Sequence, residues 1–170
     1  MLLLWVTGCI LPPPVSLDQG QNQAPFVLPS LSDPNTAEVE LNLNCSVCTF
    51  KLYASDPDAS DTLSTRWFWD YDQGHTESHT DNIKIVPALN GAARAPAVYT
   101  TEDLKQLSSE LAGSASSSVH TLEVVVSDRD FDSSGTPLNQ APAAGGLTTS
   151  LRWTVRFVTR AATCDVRTCQ

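Results

Sequence analysis

Residues 64–71 read STRWFWDY and residues 120–128 read HTLEVVVSD, and in both stretches bulky apolar side chains fall at every second position. Trp67, Trp69 and Tyr71 share one face of the first; Leu122, Val124 and Val126 share one face of the second. Successive side chains of an extended chain point to opposite faces, so this alternation predicts half-buried antiparallel β-strands. SLRWTVRFV repeats it with Leu151, Trp153, Val155 and Phe157, and EVELNLN with Val39, Leu41 and Leu43 against Glu38, Glu40 and Asn42. After CSVC the phase changes, and Phe50, Leu52 and Ala54 become the apolar set of TFKLYAS. That shift predicts a turn or a bulge at the cysteines. Strands are therefore expected over 38–44, 49–55, 64–71, 121–127 and 151–158, with NIKIV from Asn82 as a shorter candidate.

One helical signal interrupts the series. In TTEDLKQLSSELAG, residues 100–113, Leu104, Leu107 and Leu111 recur at spacings of three and four. A threonine precedes acidic residues in the first turn, and Gly113 closes the end. GSASSS and NQAPAAGGLTT are loops by composition. Together these elements predict an all-β antiparallel β-sandwich with one short helical insertion.

Three segments sharpen that expectation. NQAPF, LYASDPDASDTLSTRWFWD and HTLEVVVSDRDFD resemble the opening, B to C and F to G segments of PKD-type, cadherin-like and related bacterial immunoglobulin-like domains. The resemblance spans most of Asn22 to Phe157 and implies an immunoglobulin-like sandwich of the kind used for adhesion, spacing and assembly. The chain departs from that pattern in the insertion between Pro87 and His120 and in its cysteines.

The chain opens on LLLWVTGC, followed by ILPPPVSLDQGQNQAP. The run Leu2 to Val6 is too short to cross a bilayer, which takes about 20 apolar residues, and it lacks the basic region of a complete export signal. Val6-Thr7-Gly8-Cys9 resembles the lipobox of bacterial lipoproteins, which implies that Cys9 is lipidated, as by palmitate, and becomes the first residue of the mature chain. The competing reading is an ordinary secretory leader with an incidental cysteine. The tether favours the lipobox, since PPP is stiff polyproline and DQGQNQ is flexible and polar. Residues 1–8 then form a truncated signal remnant, 9–25 a lipid-anchored tether, and 26–170 the sandwich domain with a disulfide-stapled C-terminal tail. The expected place is the bacterial cell envelope, with the domain exported to the periplasm or the cell surface.

Without leader and tether, roughly 140 residues remain, enough for one core and too few for two. The net charge is −9 and the ten basic residues are scattered, so no phosphate-tracking surface exists and nucleic acid is excluded as a partner. Acidity of this size keeps an exported protein soluble.

Apart from Cys9 there are four cysteines in two pairs, Cys45 with Cys48 and Cys164 with Cys169. In an oxidising compartment such thiols become disulfides, which rank above zinc binding and above a redox-active CxxC at a helix N-terminus. Antiparallel topology places both pairs at one pole, where the bridges are either local or crossed. A crossed bridge stabilises more, because it closes a longer loop.

The same topology gathers Asp56, Asp58 and Asp61 beside Asp128, Asp130 and Asp132 at the other pole. DRDFDSSG supplies carboxylates at alternate positions, as calcium loops do. The sixth position is Ser133 where an EF-hand has glycine, and the twelfth is Asn139, not glutamate. Asp56, Asp58, Asp128, Asp130 and Asp132 are therefore calcium candidates weighed against the stronger reading of turn formers that bond their own backbone. His75 and His79 with Asp70 and Asp72 lie in a polar stretch that reads as a solvated loop. No nucleophile elbow, P-loop or dinucleotide fingerprint occurs, so no catalytic residue and no small-molecule substrate is assigned. The expected function is a non-catalytic, envelope-anchored interaction or structural lipoprotein. Its expected partners are the membrane, through the anchor, and another envelope protein. The alternative is a metal- or thiol-dependent envelope enzyme or assembly accessory factor.

Overall fold

The structure is a computed structural model that describes residues 21–42, 48–58, 60–71, 82–85, 96–100, 119–132 and 140–158. Among the described residues there are nine strands and no helix: β1 (Phe26–Val27), β2 (Glu38–Asn42), β3 (Thr49–Leu52), β4 (Ala54–Ser55), β5 (Leu63–Trp69), β6 (Asn82–Ile85), β7 (Ala97–Thr100), β8 (Val119–Ser127) and β9 (Thr148–Val158). Five of them form one sheet in the order β2-β9-β8-β5-β6, while β3 pairs with β7 and β1 with β4. The all-β expectation is met. The expected helix begins at Thr100, which is the last residue of β7, and its remainder, 101–113, lies outside the described residues.

Alternation builds the core. In β9 Trp153, Val155 and Phe157 are buried while Arg152, Thr154 and Arg156 are exposed. Leu122, Val124 and Val126 of β8 join them, with Val39 and Leu41 of β2, Phe50 and Leu52 of β3, and Trp67 and Trp69 of β5. At the centre Trp67 stacks on Trp153 at 6.0 Å between ring centroids, and Phe50 meets Trp153 edge-on at 5.3 Å. Each such side chain contributes about 1.5–3 kcal/mol by leaving water. The indole N–H of Trp153 donates to the Pro34 carbonyl at 2.9 Å, so the ring is buried without a lost hydrogen bond.

β5 departs from the half-buried expectation, because all seven of its residues are buried. The connection from β8 to β9 folds back over the outer face of the sheet and makes a second, smaller core of Phe68, Val125 and Phe131, with Tyr71 against it. Tyr71 was expected on the tryptophan face. Instead it meets Phe68 at 4.7 Å, since Asp70 adopts φ +44° and breaks the alternation just after β5 ends. Arg66 lies under the same cover, its guanidinium 4.5 Å from the centre of the Phe131 ring and its Nη1 donating to the Asp132 carbonyl at 3.4 Å. Burial pushes its pKa below the ordinary value and the charge of Asp132 works against that shift; the group remains a cation in either case.

Two further departures concern pairing. β2 runs parallel to β9, with Val39 opposite Val155 and Asn42 opposite Val158, so the large sheet is mixed and not purely antiparallel. The phase change at the cysteines then has a simple cause: β2 belongs to the large sheet and β3 to another, and the chain crosses between them. The strand expected over 49–55 is divided at Tyr53. Its N–H is taken by Ser32 Oγ at 3.2 Å and its carbonyl by the Leu28 N–H at 2.8 Å, so a turn over 28–32 separates β3 from β4.

Candidate functional site

β4 and β8 end at the same pole, where Ser127 pairs with both Ser64 and Thr148. The aspartates follow directly. Asp56 Oδ1 accepts the Asp58 N–H at 2.7 Å, an Asx turn that shapes the connection from β4 to β5. Asp58 Oδ2 accepts the Gln23 N–H at 2.8 Å, and Asp128 Oδ2 accepts from Asn22 Nδ2 at 2.6 Å. Asp128 Oδ1 takes the Leu147 N–H at 2.8 Å, while Asp130 accepts from Ser64 Oγ at 3.1 Å. Asp132 bonds through its backbone, its N–H donating to Ala141 at 3.0 Å. Asn22 also donates to the Gly145 carbonyl at 3.2 Å. The adjacent glycines have separate reasons: Gly145 sits at φ +80°, and a Cβ on Gly146 would stand 2.7 Å from Pro142 Cβ.

The two aspartate loops thus converge on one segment, Asn22–Gln23, and three of the five carboxylates organise backbone N–H groups. Among the described residues no group of three or more aspartate, glutamate, histidine or cysteine side chains is gathered closely enough to hold a metal ion. Calcium held by these aspartates should appear as a higher melting temperature in calcium than in chelator, and coincident melts would leave them as turn formers. Differential scanning checks this, because calcium at a hundredfold its dissociation constant would add about 2.7 kcal/mol to the folded state.

At the opposite pole Asn42 and Val158, the last described residues before Cys45 and Cys164, stand side by side. Cys48 directly precedes β3, is 3% exposed, packs in the main core and is disulfide-bonded. Cys9, Cys45, Cys164 and Cys169, like His75 and His79, lie outside the described residues.

This pole also holds a pair that the sequence reading missed. His120 is 8% exposed, its Nδ1 meets Asp70 Oδ2 at 2.5 Å, and its ring lies 4.8 Å from that of Phe157. Asp70 Oδ1 accepts the Thr121 N–H at 2.7 Å, and the Asp70 N–H donates to the Thr121 carbonyl at 2.8 Å. The signal was present: His120 is in phase with Leu122 and Val124, which puts it on the core face. A buried imidazole there needs a partner, and Asp70 in a left-handed conformation reaches it. Packed against Phe157, the pair fastens the ends of β5 and β8. Asp70→Ala should cost about 2–3 kcal/mol in urea denaturation, through the lost bonds and the left-handed backbone. Asp70→Asn should cost less, because asparagine tolerates that conformation.

No protein-family model matches the chain, and no curated protein matches it. No helix among the described residues is long and apolar enough to cross a membrane.

Proposed function

We propose that this chain is a bacterial envelope lipoprotein whose exported domain is an immunoglobulin-like β-sandwich that serves a non-catalytic, structural or interaction role. The observation that carries the reading is VTGC at residues 6–9, followed by a tether that reaches a β-rich domain at Asn22. The sheet order β2-β9-β8-β5-β6, with a parallel β2–β9 pair at one side, supports the sandwich assignment. The carboxylates and the buried imidazole are engaged in holding loops and strand ends, which favours a scaffold over a reaction centre. Replacing Cys9 by serine, behind a complete export leader, should move the protein from the membrane to the soluble fraction on cell fractionation. Unchanged membrane retention would refute the anchor, and turnover of a small substrate by purified domain would refute the non-catalytic role.

A further inference from the structure

We infer that the domain is held with its Asp58–Asp128 end toward the membrane and its Cys48 end away from it, a placement that rests on lipidation at Cys9. The chain enters at a fixed point. Asn22 bonds Asp128 and Gly145, the Gln23 N–H bonds Asp58, Pro25 is buried, and β1 then runs antiparallel to β4 down the domain. The tether therefore ends at Asn22 in the aspartate end. Asn22 follows Cys9 by thirteen positions, and a chain of that length reaches at most about 45 Å when fully extended. β9, with its eleven residues, runs about 36 Å from that end to the other.

The point of attachment thus makes the aspartate end the nearer one on average. Asp58, Asp61, Asp130 and Asp132 are the accessible carboxylates of this end, with Arg129 as the one cation among these loop residues, so anionic headgroups repel it within roughly 8–10 Å at physiological salt and the end stands off the surface on its tether without adhering to it. The membrane surface is thus the neighbour of the aspartate end, and a protein partner meets first the end that carries Asn42, Cys48, Asp70 and the 53% exposed Val119.

The test uses the full chain, lipidated in a bacterial host behind a complete leader and reconstituted into phosphatidylcholine and phosphatidylglycerol vesicles with acceptor-labelled headgroups. A donor dye is placed through a non-natural amino acid at Ala144, exposed at the aspartate end, or at Val119 at the other. Energy transfer should be several-fold greater from position 144 than from position 119. Equal or reversed transfer from protein that floats with the vesicles overturns the orientation while leaving the anchor intact. Protein that fails to float overturns the anchor, and the orientation with it.

Discussion

Replacing Trp153 by alanine should lower the stability of the domain by about 3–5 kcal/mol, the range for losing a large aromatic from a packed core. Trp153 is 1% exposed, stacks on Trp67, meets Phe50 edge-on and donates to Pro34. Its removal opens a void between the large sheet and β3, leaves the Pro34 carbonyl without its donor, and takes away aromatic pairings that each add about 0.5–1.5 kcal/mol beyond area burial. Domains of this size are stable by about 5–15 kcal/mol, so the variant should be marginal. Urea denaturation followed by near-ultraviolet circular dichroism measures it, and Val119→Ala, at an exposed position, should stay within about 0.5 kcal/mol of the parent. A Trp153→Ala protein as stable as that control would mean that the core is centred elsewhere.

Trp153 was legible because β9 obeys one rule over its second half: one face in water and one in the core. β8 follows it from His120 to Val126 on the core side, and both strands were placed from sequence within a few residues. The rule fails where a strand is covered twice. Arg66 and Phe68 read as the outward face of β5, and nothing local announces that Phe131 and Tyr71 fold over them; burial there is set by a long connection. Parallel pairing of β2 with β9 was equally hidden, since alternation tells which face is inward and not which neighbour lies alongside. β1 has two residues and β7 four, too few for a period to stand out.

Of the candidate sites, the sharing of one pole by the two aspartate loops was legible from strand order. The role of Asn22–Gln23 as the segment that joins them was not, because hydrogen bonds between positions so far apart in the chain leave no mark in sequence. Asp70 and His120 were each visible, but as members of unrelated stretches. Only the end of β5, turned by the positive φ of Asp70, brings them together.

Reduction of the protein should lower its melting temperature by about 10–20 °C, a larger effect than a local CxxC bridge would give. The argument turns on the partner of Cys48. Within CSVC, a bond to Cys45 closes a loop of a few residues, worth about 2 kcal/mol in the chain-entropy account, whereas a loop of about 100 residues is worth about 4.7 kcal/mol. Cys164 and Cys169 stand 116 and 121 positions from Cys48, in the stretch that follows Val158. The parallel register sets Val158 beside Asn42 at the same pole as Cys48, which directly precedes β3. Cys48 is also part of the main core, so a crossed bond would staple the C-terminal stretch to the start of β3. Digestion without reductant, after alkylation of free thiols, should give no labelled cysteine among Cys45, Cys48, Cys164 and Cys169. It should also give one linked peptide that joins Cys48 to the C-terminal pair. A peptide joining Cys48 to Cys45, with a melting shift of only about 4–8 °C on reduction, would show that the bridge is local. In that case the C-terminal stretch is not held by Cys48.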